Sequence, residues 1–252
     1  MTDIIVVMAT YRQAKYLSDS IGSVLKNIQN INGTLCIVPM TEDEETRAWI
    51  RGNLRPLSPE VKNLMYIVPS LEANLWLQRQ NGLLSSSNKY VSFFDSDDVM
   101  LPGWLDRGLK VAEEISSRGK IPIVGYSYRM VDEKLRPMQD VILPEFSMER
   151  MMNGCIIPDG SITTTEALKS VGGLFDPDGY DPGHPYYCFA TWLRMLRKYK
   201  DQIEVRLLPD IGILYRQHKK AMHHGFARTK KKSQENVRRQ REIARHYFPE
   251  GV

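Results

Sequence analysis

The stretch from residue 89 to residue 98 places three carboxylates directly after a short apolar segment. Tyr90–Phe94 is aromatic and β-branched, which predicts a buried strand of about five residues. Asp95, Asp97 and Asp98 follow it and repel one another, so a cation, an arginine or capping backbone amides must compensate them. Such hard oxygen ligands suit a divalent metal ion that keeps open positions for the phosphates of a substrate.

The same carboxylates also have a purely structural interpretation. A helix is predicted to begin near Pro102, with the proline in its first turn. Asp97 or Asp98 would then cap the amides at the start of that helix. The sequence of this segment alone leaves both interpretations open.

Apolar strands and amphipathic helices alternate through the first hundred residues. Residues 4–9 form a continuous apolar run, as expected for a strand that is buried on both faces of a parallel sheet. Further strands are predicted at 35–38, 64–68 and 90–94, and helices at 15–30, 44–52 and 71–84. This alternation predicts right-handed crossovers and an α/β fold with a mainly parallel central sheet flanked by helices.

The second half of the sequence is less regular. Helices are predicted at 105–118, 165–171, 189–196 and 233–247, and strands at 121–130, 205–208 and 211–215. Residues 175–185 are too rich in Pro and Gly for regular structure and predict a rigid polar loop. Asp178, Asp181 and His184 make this loop a candidate wall of an active site.

Three polar segments follow the predicted strands of the first half. They are Thr10-Tyr11-Arg12, Thr41-Glu42-Asp43 and the turn from Asp95 to Asp98. In open parallel sheets, ligands bind beyond the carboxyl ends of the strands. We therefore expect the three segments to lie along one edge and to form one site.

Composition is that of a globular protein, with 42% hydrophobic and 25% charged residues among 252. Residues 4–9 are too short for a membrane span or a signal sequence and follow Asp3 rather than basic residues, so we expect a cytoplasmic protein. Cys36, Cys155 and Cys188 are widely spaced and lack metal-binding spacing. They are predicted to be reduced, buried thiols.

The net charge of +4 is mild, but the basic residues are concentrated late in the chain. Between residues 216 and 245, eleven Lys and Arg residues face only two glutamates, Glu235 and Glu242. Such a run is either a solvated helix face or tail, or a surface for an anionic partner. The candidate partners are a diphosphate, a nucleic acid and an acidic lipid.

The order of these motifs resembles the family-2 glycosyltransferases, which have the GT-A fold. The resemblance covers most of residues 1–220 and rests on several short landmarks in the expected order. These are the segment 4–25, Leu77-Gln78-Arg79-Gln80-Asn81-Gly82-Leu83, the segment 90–101, Val171-Gly172-Gly173-Leu174-Phe175-Asp176, Trp192-Leu193-Arg194 and Tyr215-Arg216-Gln217-His218.

The resemblance implies one GT-A domain at 1–220 and a basic helical extension at 221–252. The nucleotide-binding half would span about 1–100 and the acceptor half about 101–220. In the first half, Thr10, Tyr11 and Arg12 would line the nucleotide base and ribose. Arg79 would support the base or the acidic turn.

The resemblance also implies a metal site at the end of the strand 90–94. Asp95 and Asp97, with Asp98 beside them, would hold the ribose and a Mn²⁺ or Mg²⁺ ion on the diphosphate of the donor. His218 matches a late histidine that approaches the metal or the diphosphate in many GT-A enzymes. A divalent ion offsets the charge that builds on a departing diphosphate.

Two positions depart from the family pattern. After the second strand, the family usually has an acidic pair and a glycine, whereas this chain has Pro39-Met40-Thr41-Glu42-Asp43, so Glu42 or Asp43 is the candidate for base recognition. Tyr187 and Cys188 stand where the family usually has the Glu-Asp pair that supplies the general base. An inverting transfer needs a proton acceptor. Asp181 is the first candidate and His184 the second, with Asp178 in the same loop.

The sequence therefore predicts a metal-dependent glycosyltransferase that moves a sugar from a nucleoside-diphosphate donor, expected to be uridine-based, to an acceptor hydroxyl. The acceptor remains open between a glycan, a lipid-linked glycan and a nucleic acid. Two alternatives stay open as well. The basic helix favours transfer to a nucleic acid, such as a modified base in DNA. The missing Glu-Asp pair favours a non-catalytic module that binds nucleotide sugars.

Overall fold

A computed structural model describes residues 3–72, 74–219 and 230–251, with the backbone alone at 230–233. The described residues form one sheet of nine strands, with helices packed on both of its faces. The strands are β1 (Ile4–Thr10), β2 (Gly33–Pro39), β3 (Met65–Ile67), β4 (Tyr90–Asp95), β5 (Val99–Met100), β6 (Ile121–Val131), β7 (Pro137–Val141), β8 (Ile162–Thr164) and β9 (Ile203–Arg216). The helices are α1 (Leu17–Ile28), α2 (Glu44–Leu54), α3 (Pro59–Lys62), α4 (Leu75–Leu84), α5 (Trp104–Ser117), α6 (Met148–Asn153), α7 (Thr165–Ser170), α8 (Tyr187–Tyr199) and α9 (Lys230–Tyr247).

The sheet is parallel in the first half of the chain, where strands and helices alternate strictly. It is mixed in the second half, where they do not. Its strand order is β3-β2-β1-β4-β8-β6-β9-β5, with β7 paired to β6. The pairs among β3, β2, β1 and β4 are parallel, whereas β8 pairs antiparallel with both β4 and β6. The predicted α/β class with a mostly parallel sheet is confirmed.

Most predicted elements are present, and β9 is the main difference. Residues 205–208 and 211–215 were predicted as two strands, but they belong to one strand that pairs parallel with β6. Its register shifts where Leu208 pairs with Tyr126 and Ile211 with Ser127. The intervening Pro209 and Asp210 are therefore a bulge, a position that accepts proline within a sheet.

The first residues of α5 test whether Asp97 or Asp98 caps this helix. Gly103, at φ +72°, stands at the N-cap of this helix, which begins at Trp104. The prediction that Asp97 or Asp98 caps the helix is therefore wrong. The two-residue strand β5 separates the cluster from α5 by pairing Val99 with Leu214 of β9.

The core has one layer on each side of the sheet. Along β1, Ile5 and Val7 belong to the layer beneath α4 and α8, whereas the alternate residues pack beneath α1 and α5. Helix α9 contributes to the first of these layers through Ile243, Ala244 and Tyr247, which are nearly fully buried.

Only part of the late basic run lies within the residues that the structure describes. Lys220 and Arg228, and the part of the predicted extension at 221–229, lie outside the described residues. Of the described arginines on α9, Arg239 donates to the carbonyl of Pro182 and Arg241 to Asn153. Some basic side chains of this helix therefore serve to dock it on the protein.

Among residues 3–72, 74–219 and 230–251, no helix combines the length and apolar character that a membrane span requires. All three cysteines are free thiols, as predicted. Cys36 and Cys188 are buried, while Cys155 is half-buried.

Gly82 lets α4 lie directly on the sheet, which gives a test of this packing. A Cβ atom at Gly82 would stand 2.3 Å from Val7 Cγ1. We expect Gly82→Ala to lower the free energy of unfolding by roughly 1–3 kcal/mol, because the helix must move away from β1. Urea denaturation would measure the loss.

Gly22 is the matched control for Gly82. It lies within α1, and a Cβ atom there would have nothing within 4 Å. Gly22→Ala should therefore raise the free energy of unfolding by about 0.5–1 kcal/mol. A Gly82→Ala variant as stable as Gly22→Ala would contradict the close contact.

Candidate active site

The carboxyl ends of β2, β1 and β4 meet at one edge of the sheet, as predicted. Thr10 pairs with Pro39 of β2, and Ala9 pairs with Asp95 of β4. The loop after β1 thus lies between the loop after β2 and the aspartate turn after β4. The three polar segments expected to form one site are neighbours.

A cavity of about 290 Å³ opens between the first two of these segments. Its walls are Tyr11, Arg12, Met40, Glu42, Asp43, Glu44 and Glu45. Tyr11, Arg12 and Glu42 therefore lie where the prediction placed them, at a pocket beyond the strand ends. Thr10 differs, because its side chain is buried beneath the loop, 1% exposed.

Asp43 holds the two loops of the cavity together. Its carboxylate accepts the backbone N–H of Arg12 at 2.5 Å and caps α2 by accepting the N–H of Thr46 at 3.2 Å. Arg12 adopts φ +54°, and this bond holds its backbone in the left-handed region. Because Asp43 is occupied in this way, a ligand would meet the exposed acidic side chains at the rim, of which Glu42 is the predicted one.

Three successive residues of α4 connect the strand ends to the second half of the chain. The amide of Gln78 donates to the carbonyls of Thr10 and Val38. Gln80 donates to the carbonyl of Gly172 and accepts the N–H of Leu174. Side chains on opposite faces of one helix thus fix both walls of the site.

Arg79 lies between these two glutamines and is 1% exposed. One of its terminal nitrogens contacts Asp95 at 2.6 Å, and the other contacts Asp159 at 3.1 Å and the Sγ of Cys188 at 3.3 Å. Burial by itself would lower the pKa of this guanidinium, but Asp95, Cys188 and Asp159 raise it above its ordinary value. Arg79 is the cation that compensates Asp95.

Asp97 and His218 form a second pair at the same turn. His218 Nε2 lies 2.8 Å from Asp97 Oδ2, and the amide of Gln13 reaches the same oxygen at 3.4 Å. The imidazole is almost buried and packs against the ring of Tyr16. Asp97 and His218 are 121 positions apart in the chain, and both were predicted to belong to one metal site. The structure brings them into contact.

Asp98 points away from this pair and into the protein. It is 5% exposed, and its Oδ1 accepts the backbone N–H of Arg216 at 2.8 Å. Burial, with Asp97 and Asp95 nearby, raises the pKa of the Asp98 carboxyl well above its usual range. The protein backbone thus already engages one oxygen of Asp98, and a metal-binding role for this residue stays a prediction.

Arg216 fixes the turn from the opposite side. Its guanidinium donates to the carbonyls of Asp97 and Glu133 and to the carboxylate of Asp19. The three aspartates of the cluster therefore each have a separate partner. Arg79 contacts Asp95, His218 contacts Asp97, and the backbone N–H of Arg216 donates to Asp98.

The loop predicted as a site wall packs against the start of α4. The rings of His184 and Tyr187 lie 5.9 Å and 5.3 Å from that of Trp76, and the Arg79 guanidinium lies 5.2 Å from the same indole. Asp181 is exposed, and its Oδ1 accepts from the N–H of Gly183 and the hydroxyl of Tyr187, both at 2.8 Å. These bonds hold the pKa of Asp181 below its ordinary value.

Asp178 is exposed in the same loop, and its N–H donates to Asp176. The loop thus contacts Trp76, which in turn contacts Arg79. A catalytic role for Asp178, Asp181 or His184 stays a prediction.

Asp159 is a residue of the site that the sequence did not single out. It lies in a turn before β8, where the backbone and side chain of Ser161 both donate to the carbonyl of Pro158. The Pro-Asp-Gly-Ser run is a turn signal. It carries no information on which helix the turn faces, so the contact with Arg79 could not be read from it.

The fold and this edge define a class of protein: an α/β domain of the GT-A type with a pocket and an acidic turn beyond its parallel strands. The sequence model of glycosyl transferase family 2 matches residues 5–161. The chain belongs to that family, and the predicted family is confirmed.

Several solved structures share the fold at low sequence identity. The crystal structure of S. aureus TarS 1-349 in complex with UDP-GlcNAc has a TM-score of 0.68 and 14% identity, over 99% of this chain and 67% of that one. The mannosyltransferase PcManGT from Pyrobaculum calidifontis, in complex with GDP-Man and Mn²⁺, has a TM-score of 0.63 and 9% identity, over 98% of this chain and 72% of that one. These likenesses show the fold.

The chain is shorter than the structures it resembles. Its match spans 60% of TarS 1-349 in another crystal structure, with a TM-score of 0.61 and 15% identity, and 37% of the longer TarS chain. No curated protein matches the chain.

Proposed function

We propose that the protein is a metal-dependent glycosyltransferase that moves a sugar from a nucleoside-diphosphate donor, uridine-based, to an acceptor hydroxyl. One observation carries this proposal: the cavity lined by Tyr11, Arg12 and Glu42 lies next to the turn that holds Asp95 and Asp97. A nucleoside fits a cavity with an aromatic wall and a polar rim. Its diphosphate would then extend across the end of β1 towards the aspartates.

The ligands of the structural neighbours support a nucleotide-sugar donor. TarS 1-349 was crystallised with UDP-GlcNAc and with UDP, and PcManGT with GDP-Man and Mn²⁺. Both base types occur among them, so uridine is proposed here and guanosine is the alternative to be tested. We also propose the cytoplasmic location expected from the sequence.

The donor groups of the turn suit Mn²⁺ or Mg²⁺ when a substrate supplies the remaining ligands. Within the described parts of the chain, no three His, Cys, Asp or Glu side chains converge as a complete metal-ligand group. Magnesium is usually held by one or two carboxylates together with substrate phosphates. Asp97 and His218 would hold the ion together with the donor phosphates, Asp95 on the same turn would hold the ribose, and Asp98 is left out because it is buried against Arg216.

The bound ion would offset charge on the departing diphosphate. The protein's own groups have separate tasks. Arg79 orients Asp95, and Asp43 keeps the loop after β1 in the conformation that shapes the cavity.

A donor screen tests the proposal directly. UDP-glucose, UDP-GlcNAc, UDP-galactose and GDP-mannose are added with Mn²⁺, and the melting temperature is measured. A donor at one hundred times its dissociation constant stabilises by about 2.7 kcal/mol, which should raise the melting temperature by roughly 5–10 °C for a chain of this size.

The matched control is the same donor with EDTA in place of Mn²⁺, which should reduce the shift. Release of nucleoside diphosphate from the stabilising donor, with water as acceptor, is then measured with a phosphatase-coupled assay. Binding without turnover across acceptors would favour a non-catalytic module. No shift and no release with any donor would contradict the proposed function.

A nucleic acid acceptor remains the second candidate because α9 presents basic side chains to solvent. The side chain of Arg238 is 74% exposed. Transfer to a DNA acceptor should fall steeply as salt rises from 50 to 200 mM, since phosphate contacts release counterions. Transfer to an uncharged glycan should change little over the same range.

A further inference from the structure

Tyr187 and Cys188 occupy the position at which the family usually carries its proton acceptor, and Cys188 is inaccessible to a substrate. Cys188 is 2% exposed, and its sulfur lies 3.3 Å from a nitrogen of Arg79. Burial, with Asp159 nearby, raises the pKa of the Cys188 thiol well above its ordinary value. The preceding residue is no better, because burial and Asp181 raise the pKa of Tyr187 to about 12. Neither side chain accepts a proton near neutral pH.

A carboxylate from another element lies directly beside this position. The nitrogen of Arg79 that contacts Cys188 also contacts Asp159, at 3.1 Å. The side chain of Asp159 is 38% exposed, so a substrate can reach it, whereas Cys188 is closed to substrate. Asp159 therefore supplies an accessible carboxylate where the helix α8 does not.

Arg79 also connects the carboxylate of Asp159 to the part of the site proposed to bind the nucleotide-sugar donor. Its other terminal nitrogen contacts Asp95, the last residue of β4 and a proposed donor-binding residue. Asp95 and Asp159 thus bind the two ends of one guanidinium, 64 positions apart in the chain. A sugar held between donor and acceptor would lie near both carboxylates.

The backbone that carries Asp159 is held firmly against β4. The hydroxyl of Ser92 donates to the carbonyl of Gly160 at 2.6 Å. A Cβ atom at Gly160 would stand 2.3 Å from the Tyr126 hydroxyl and 2.7 Å from the carbonyl of Phe93. Residue 160 must therefore be glycine for the turn to approach the strand, and this approach directs Asp159 at Arg79. A base positioned by packed backbone is preorganised for catalysis.

We infer that Asp159 is the general base of the transfer reaction and takes the place of the missing acidic pair on α8. The inference rests on the proposed function. As the acceptor oxygen forms its bond to the anomeric carbon, the bond from that carbon to the diphosphate oxygen breaks. The nucleoside diphosphate leaves with the electron pair, and the proton of the acceptor hydroxyl passes to the carboxylate of Asp159. Arg79 acts as a positioning residue that orients this carboxylate.

The loop candidates fit this task less well. Asp181 already accepts two hydrogen bonds, and these lower the pKa of its carboxyl, which makes it a weaker base. Asp159 pairs with the guanidinium of Arg79, and its side chain is open to solvent.

Asp159→Asn tests the inference, with the donor that the screen identifies. Nucleoside diphosphate release with water as acceptor should fall at least a hundredfold in kcat, because an amide cannot accept the proton. The dissociation constant of the donor, measured by calorimetry, should change less than threefold. Asp140→Asn is the matched control: Asp140 also pairs with an arginine, Arg129, and is 43% exposed, but it lies on β7. Its turnover should equal that of the wild type.

A second variant covers the case in which Asp159→Asn does not fold. Asp159→Glu keeps the charge beside Arg79 and should melt within a few degrees of the wild type. Its kcat should still fall at least tenfold, because the longer side chain displaces the carboxylate from the reacting hydroxyl. Full turnover in Asp159→Glu would show that only the charge matters and would overturn the inference.

The remaining outcomes are distinct. Wild-type turnover in Asp159→Asn, or a fall matched by the loss of donor binding, overturns the inference while the proposed function stands. So does an Asp181→Asn variant that loses turnover while Asp159→Asn keeps it, since the base would then lie in the loop. If the wild type releases no diphosphate from any donor, the proposed function fails and the inference fails with it.

Discussion

An Asp97→Ala variant should bind the nucleotide-sugar donor at least a hundredfold more weakly in Mn²⁺ than the wild type. The carboxylate of Asp97 lies 2.8 Å from His218 Nε2, and the two side chains are the proposed protein ligands of the ion. Its removal deletes a metal ligand and leaves the diphosphate charge without compensation. Isothermal titration with the donor, in Mn²⁺ and in EDTA, would measure the loss.

The expected pattern separates a metal site from a structural role. In EDTA, the variant and the wild type should bind the donor equally weakly. The melting temperature should stay within a few degrees, because the Asp97 side chain is lost from only two hydrogen bonds, those with His218 and Gln13. Asp140→Ala, on β7, should bind as the wild type does. Equal affinity of Asp97→Ala and wild type in Mn²⁺ would show that the metal assignment is wrong.

Arg79→Met is the variant with the largest expected effect on stability. Arg79 is the buried cation between Asp95 and Asp159, and methionine would leave two carboxylates facing each other without a partner. Breaking a buried ion pair costs about 3–5 kcal/mol. The two side chains are 32% and 38% exposed, so water can solvate them, and we expect the lower end, about 3 kcal/mol.

Arg129→Met provides the comparison on the surface of the protein. Arg129 makes two hydrogen bonds to Asp140, but its side chain is 39% exposed. An exposed pair contributes about 0–1 kcal/mol. Urea denaturation of the two variants should therefore give losses that differ by about 2 kcal/mol or more. Equal losses would mean that Arg79 is solvated well enough to be dispensable for the fold.

The sequence predicted the first half of the fold well because its elements are long and periodic. The apolar run of β1 and the helical spacing in α1 each extend over seven residues or more. Short elements carry no such signal, and β5, with two residues, and β8, with three, went unpredicted. Residues 205–208 and 211–215 were predicted as two strands, whereas the structure has one strand whose register shifts at residues 209–210 and again at Gly212.

For the candidate site, the sequence predicted well which residues have functional side chains. It predicted less well which of these side chains contact one another. The end of each parallel strand follows from the alternation of elements, so Tyr11, Glu42 and Asp95 could be assigned to one edge. The contact of Arg79 with Asp159 could not, because Asp159 lies 80 positions away in a segment with no regular structure. Asp98 looked equivalent to Asp97 in sequence, and only the approach of the Arg216 backbone distinguishes them.

The docking of α9 has a consequence for how the chain is made. Ile243 and Tyr247 complete an apolar layer that Ile5 and Val7 begin, and the Tyr247 hydroxyl donates to Asp176 at 2.5 Å. During synthesis at about 5–20 residues per second, β1 to β4 have left the ribosome roughly 8–30 s before residue 247 does. Throughout that interval the layer lacks the side chains of α9, and the apolar residues that Ile243 and Tyr247 cover in the folded protein stay exposed to water.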